Sequence, residues 1–208
     1  GFKKFAKITR APFFASLVVS GLVGSAVAWS QGMFHAGYFL LTILGIITTN
    51  AALNMSNDYY DHLSGNDEAN QHPTPFSGGS RTIQNGWLAP RQVLLWSLGF
   101  YAITIAIGLY LTIVRGWPIL ALGLIGVALA FFTSAPPLRL NYRGHGLGEL
   151  ATFLGSGPLI VLGAYYVQAQ TITPEILWAS VPIGFLGAAL IWINEFPDYE
   201  ADRAAGKQ

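Results

Sequence analysis

Asp58 and Asp61 stand three residues apart and Asp198 and Asp202 four apart, spacings that set each pair of carboxylates on one face of a helix. Each pair has an asparagine four residues before its first aspartate, Asn54 and Asn194, and a glycine four residues after its last, Gly65 and Gly206. Asn57 adds a second amide to the first group, and both groups close long apolar runs. Oxygen donors of this kind suit magnesium, which keeps several waters and is often held by one or two carboxylates together with substrate phosphates. Bare carboxylates would repel a diphosphate. With metal between them, the two pairs become a clamp that attracts one and neutralises charge on a departing pyrophosphate. The plain alternative for either pair is a solvated helix end with no further role, but the recurrence of the Asn/Asp pattern argues against it. For Asn54, Asn57 and Asn194, as metal ligands or phosphate donors, the plain alternative is helix capping.

The elements that must position these groups follow from composition. The chain has 208 residues, of which 52% are hydrophobic and 10% charged, too apolar and too charge-poor for an ordinary soluble domain. Six apolar stretches, at about 11–30, 37–56, 92–114, 117–135, 149–169 and 175–196, each approach the ~20 residues that a membrane-spanning helix requires. The expected fold is therefore an all-α polytopic membrane bundle of six helices, forming one domain over residues 1–208. Pro136-Pro137 should end the fourth span, and Gly155, Gly157 and Pro158 should kink the fifth or line a cavity there. Pro197 should kink the last span and re-aim Asp198 and Asp202. Gly21, Gly24, Ser25 and Ala28 read as a packing stripe. The basic residues before Ala11 are followed by an apolar run longer than a signal peptide's, so a retained first helix is expected.

Orientation follows from charge. With the N-terminus inside, ten of the eleven Lys and Arg residues fall on the cytoplasmic face and only Arg115 falls outside. Nine of the ten acids lie near that same face, with Glu175 the exception, so both Asp pairs meet on one side. A formal net charge of +1 implies no nucleic-acid partner, and the absence of cysteine excludes disulfides, thiolate metal sites and thiol nucleophiles. A transporter or channel with acidic rings is the competing class, but it would place acids at mid-membrane depth, where none lie. A silent scaffold would not need the Asn/Asp spacing to recur.

Two polar loops on the active face hold further candidates. Pro75-Phe76-Ser77-Gly78-Gly79-Ser80-Arg81 reads as an anion-binding turn, in which glycine backbone presents amides and Arg81 pairs with phosphate. The segment from Ser134 to Arg143 adds Arg139 and Arg143, for which positive-inside topology is the alternative reading. Tyr142, with Phe131 and Phe132, can line a cavity that shields a carbocation.

Asn57-Asp58-Tyr59-Tyr60-Asp61 resembles the first aspartate motif of the UbiA superfamily of intramembrane prenyltransferases. Asp198-Tyr199-Glu200-Ala201-Asp202, followed by Arg203 and Gly206-Lys207, resembles the second. The resemblance covers the whole chain. It implies an all-helical fold of nine spans around a central cavity with a lateral opening to lipid. Six spans read here and the chain stops just after the second motif, so the expectation is a domain truncated at the C-terminus and lacking a few N-terminal residues. The resemblance further implies Mg2+ held by Asp58, Asp61, Asp198 and Asp202, and substrate contacts from Asn54, Asn57, Asn194, Arg81, Arg139, Tyr142, Arg143 and Lys207. Pyrophosphate would leave a polyprenyl diphosphate, and a ring carbon of an aromatic acceptor would attack the allylic cation.

Where relatives that prenylate 4-hydroxybenzoate carry a further Asp after the first motif, this chain has Gly65, with Asp67 two residues on. Ser64-Gly65-Asn66-Asp67, Gly146-Leu147-Gly148-Glu149-Leu150 and the stretch from Asp198 to Lys207 look more like the 1,4-dihydroxy-2-naphthoate branch of menaquinone synthesis. Acceptors of the 4-hydroxybenzoate, homogentisate, haem or chlorophyll type are the alternatives. The expected location is a bacterial or archaeal plasma membrane, multi-pass, with the site facing the cytoplasm.

Overall fold

A computed structural model of the chain describes residues 1–70, 78–204 and 206. A short helix α1 (Phe2–Ile8) is followed at Arg10 by a left-handed residue that turns the chain into Ala11–Phe13 and then α2 (Phe14–Ser30). Next come α3 (Ala36–Ser64) and the four-residue α4 (Asn66–Ala69), separated by Gly65, whose φ of 78° caps α3 in a conformation suited to glycine. Helix α5 (Pro90–Arg115) starts with Pro at its first turn, and Gln92 accepts the Ala89 N–H at 2.8 Å. Helix α6 (Pro118–Phe132) also opens on proline, and α7 (Leu147–Leu154) runs through a π-helical turn (Gly155–Leu159) into α8 (Ile160–Ala169). The last helix among the described residues is α9 (Pro174–Ala204), which includes both Pro182 and Pro197.

Five of these segments are long and apolar enough to cross a membrane: Ala11–Ser30, Ala36–Ser64, Pro90–Arg115, Leu147–Ala169 and Pro174–Glu200. The expected sixth span, 117–135, is corrected by α6. Its 15 helical residues rise about 22 Å against a hydrocarbon core of about 30 Å. Helical geometry gives way to turns at Thr133, the chain folds back so that Asn141 N–H bonds Thr133 O at 3.0 Å, and the Pro136–Pro137 peptide is cis. The protein is an integral, multi-pass, all-α membrane bundle with five candidate transmembrane helices, not six, among the described residues.

Close helix packing follows from the small residues. Gly21, Gly24, Ser25 and Ala28 are all buried on α2, and a Cβ on Gly24 would lie 2.3 Å from the Val161 carbonyl of α8. Likewise, a Cβ on Gly157 would come within 2.5 Å of Gly184 Cα, so the π-helical turn lies directly on α9. Helix α5 is tied to α3 by Ser97 Oγ donating to Ala52 O at 2.8 Å. At the end of the bundle away from the Asp pairs, Arg115 donates to the carbonyls of Val167 and Gln168 at 2.6 and 2.7 Å, satisfying the C-terminus of α8. Leu40, Leu44, Leu95, Ile113, Leu124, Phe185, Leu186 and Ile193 are exposed on the outside, as suits helices that face lipid.

Candidate functional site

Helix α3 continues through the whole first aspartate stretch, so the side chains of that stretch separate by helical angle. Asn54, Asn57 and Asp61 face a cavity of about 410 Å³, which is also lined by Asn194, Asp198 and Asp202 of α9. Asn66 and Asp67 from α4 and Asn70 just after it join the same wall, with Gly78 and Gly79. The remainder is largely apolar and includes Leu41, Ile107, Leu111, Leu122 and Val167. Leu41 and Asp61 are twenty residues apart on one helix, hence about 30 Å, so the cavity runs the depth of the bundle from a polar end to an apolar one.

Asp61, Asp198 and Asp202 are held by amides or hydroxyls. Asp61 accepts from Asn57 Nδ2 at 3.0 Å and from the Tyr142 hydroxyl at 2.6 Å, and Tyr142 lies 2.8 Å from Ser64 Oγ. Asn57 uses its second amide hydrogen on Ser134 Oγ, also at 3.0 Å. Across the cavity, Asn66 donates to Asp202 at 3.0 Å, Asn70 donates to Asp198 at 2.7 Å, and the Gly78 N–H reaches Asp198 at 3.2 Å. Burial and the Asp61 carboxylate push the Tyr142 hydroxyl well above the ordinary tyrosine range, so it stays protonated and able to donate.

Asp58 does not line the cavity. Its carboxylate is buried against Arg10, 3.0 Å away, and accepts both the Ser80 N–H at 3.1 Å and the Ser80 hydroxyl. Ser80 in turn meets Thr82 at 2.6 Å, so Asp58 anchors residues 80–82 to the bundle. Burial alone would lower the Arg10 guanidinium. Asp58, Asp67, Asp61 and Asp198 together outweigh burial and raise it. Burial and the charges of Asp58 and Asp61 push the Asp67 carboxyl up to about 8, against the pull of Arg10. A Cβ on Gly79 would sit 2.7 Å from both Asp67 oxygens, so only glycine lets the loop lie this close.

The other expected contacts lie elsewhere. Arg81 donates to the Asp67 carbonyl, Arg139 stacks over the Tyr142 ring at 4.1 Å, and Arg143 donates to Pro137 O at 3.1 Å. None of these arginines lines the cavity. Asn54 lines it while donating to Thr9 O at 3.1 Å and to Asn50 Oδ1 at 2.7 Å. Lys207, and residues 75–77 of the glycine-rich loop, lie outside the described residues. Sequence reasoning assigned no site role to Arg10, Asn66, Asn70 or Ser80. Arg10 carried a usable signal as the last cation before the first apolar run, whereas Ser80 was named only as part of its turn.

The donor chemistry fits a magnesium ion shared with a ligand rather than a closed protein cage. Among the described residues no three Asp, Glu or His side chains converge to hold a metal ion by themselves. Asp61, Asp198 and Asp202 with their amide neighbours, and a buried Asn66 Oδ1 that has no hydrogen-bond partner among the described residues, suit an ion that keeps water and phosphate oxygens.

Residues 17–208 match the model of the UbiA prenyltransferase family. The chain belongs to this family. It is 34% identical over 204 residues to a 2-carboxy-1,4-naphthoquinone phytyltransferase of Synechocystis, covering 96% of this chain and 62% of that protein. It is 26% identical over 202 residues to a 1,4-dihydroxy-2-naphthoate octaprenyltransferase of Bacillus subtilis, covering 97% of this chain and 63% of the relative. The chain thus spans somewhat over three-fifths of these curated relatives. A solved UbiA homolog from Archaeoglobus fulgidus, bound to GPP and Mg2+, superimposes with a TM-score of 0.73 at 20% identity, over 98% of this chain and 66% of that one, which shows a shared fold.

Proposed function

We propose that the complete protein transfers a polyprenyl group from its diphosphate to an aromatic acceptor in a magnesium-dependent reaction inside the membrane. The acceptor we assign is 1,4-dihydroxy-2-naphthoate. The observation that carries this reading is the convergence of both aspartate stretches on the polar end of one cavity whose length is otherwise apolar. The acceptor assignment is supported by the names of two relatives, which share a 1,4-oxygenated naphthalene ring bearing a carboxyl group.

In the reaction the C1–O bond of the prenyl diphosphate breaks, a bond from C1 to a ring carbon forms, and the ring proton leaves. Asp61, Asp198 and Asp202 would hold magnesium, which with the diphosphate bound neutralises charge on the departing pyrophosphate. Asn57 and Tyr142 hold Asp61 in place, and Asn66 and Asn70 hold Asp202 and Asp198. Asp58 acts as a positioning residue that pins Arg10 and the Ser80 turn beside the cavity. Among the described residues Arg10 is the cation at the cavity wall, and Lys207 stays a candidate diphosphate contact. Apolar walls seat the prenyl chain and exclude water that would capture the allylic cation. The site faces the cytoplasm in this reading, supported by ten of eleven basic residues falling on its side of the threading.

The test is transfer from labelled prenyl diphosphates by the complete protein, with 1,4-dihydroxy-2-naphthoate, 4-hydroxybenzoate and homogentisate offered separately. Magnesium-dependent prenylation of the naphthoate is expected. Prenylation of another ring overturns the acceptor assignment, and transfer to none of them in the presence of magnesium overturns the reaction.

A further inference from the structure

Helix α4 lies against α9 so that Asn66 and Asn70, four residues apart, face Asp202 and Asp198, also four residues apart, in two parallel Asn-to-Asp contacts of 3.0 and 2.7 Å. The left-handed Gly65 makes this possible by ending α3 and turning the chain across the mouth of the cavity. In the Asn66–Asp202 contact the carboxylate can only accept, so the Asn66 NH2 group must face Asp202 and its carbonyl oxygen must point away. That oxygen is buried and has no partner among the described residues, although Asn66 is only 7% exposed and lines the cavity.

A buried acceptor left unpaired is unfavourable, and the identity of its missing partner is constrained. Diphosphate oxygens are themselves acceptors and cannot satisfy a carbonyl. Asp61, Asp198 and Asp202, carboxylates that line the same cavity, favour a cation. Resting on the function proposed above, we propose that Asn66 is a ligand of the diphosphate-bound divalent cation through its side-chain oxygen, while its nitrogen fixes Asp202. One asparagine then performs two tasks at opposite ends of its amide. This gives the cation a neutral oxygen in addition to the carboxylates, and makes α4 part of the metal site rather than a connector.

The probe is Mn2+, followed by the electron paramagnetic resonance of the free ion, titrated into the complete protein with and without methylenediphosphonate. Asn66→Ala should weaken Mn2+ binding by about tenfold in the presence of the diphosphonate. Asn66→Asp, which keeps an oxygen but loses the donor, should bind within about threefold of wild type or more tightly. Were Asn66 to act only by holding Asp202, both variants would lose the donor and bind equally weakly, and that result overturns the proposal. Unchanged binding by Asn66→Ala overturns it as well. In either case, wild-type binding of Mn2+ with the diphosphonate leaves the proposed function standing, whereas no binding by the wild-type protein overturns both.

Discussion

Breaking the Arg10–Asp58 pair should destabilise the protein more than removing any carboxylate on the cavity wall. The two groups are 3.0 Å apart, with side-chain exposures of 18% and 3%, so neither is well solvated when its partner is lost. Truncating one member of such a pair costs about 3–5 kcal/mol because it strands the other charge. Arg10→Ala should fall at the lower end, since Ser80 still donates twice to Asp58. Asp58→Ala should fall at the upper end, because it also strands the Ser80 N–H beside an unpaired guanidinium. The double variant Arg10→Met/Asp58→Leu, which removes both charges and keeps bulk, should recover most of the loss. Unfolding in detergent, followed by tryptophan fluorescence, suits the measurement because Trp87 lies beneath Lys4 and Lys7 of the segment that Arg10 anchors. Losses under about 1 kcal/mol for both single variants would mean that the pair behaves as a surface bridge and that Asp58 has no anchoring role.

Three shorter predictions follow from other parts of the molecule. Gly24→Ala should destabilise by about 1–3 kcal/mol through collision with the Val161 carbonyl, whereas Gly99→Ala, which meets nothing within 4 Å, should be neutral or slightly stabilising in the same unfolding assay. Because the chain has no cysteine, single Ser64→Cys and Thr171→Cys variants can be labelled without background; an impermeant maleimide should reach residue 171 from outside intact cells and leave residue 64 unlabelled. Asp67, raised from an ordinary 3.8 to about 8, binds a proton in the folded state that the unfolded chain has already released. Metal-free stability should therefore fall as pH rises between those values and level off above them, and Asp67→Asn should flatten the profile, as measured by thermal unfolding across pH.

The legible parts of the fold were those written in local pattern. Apolar runs located the five long helices, but the run at 117–135 was overcounted because Thr133 to Ala135 is uncharged whether it forms helix or turn. Helical spacing brought Asn54, Asn57, Asp61, Asn194, Asp198 and Asp202 to one cavity. The same spacing could not separate Asp58 from Asp61, since three residues on a helix share a face only approximately and the neighbour that claims Asp58 is Arg10, far away in sequence. Arg10 reads equally well as topological charge, because it stands just before the first span. Asn66 and Asn70 were invisible as site residues because their partners are 136 and 128 positions away. The ring of Tyr142 is the part its sequence context points to, whereas its hydroxyl makes the contact with Asp61. Arg81 and Arg139, expected to reach phosphate, sit at left-handed backbone positions, φ 59° and 45°, in turns that give their side chains other partners.

The most direct measurement is calorimetric binding of an unreactive prenyl S-thiolodiphosphate to the complete protein, with and without magnesium, in wild type, Asp61→Asn and Asp198→Asn. A diphosphate clamp shared between α3 and α9 predicts that binding needs magnesium and weakens by about tenfold or more in each variant. Binding that is as tight in EDTA as in magnesium, or that is unchanged by both substitutions, would contradict it.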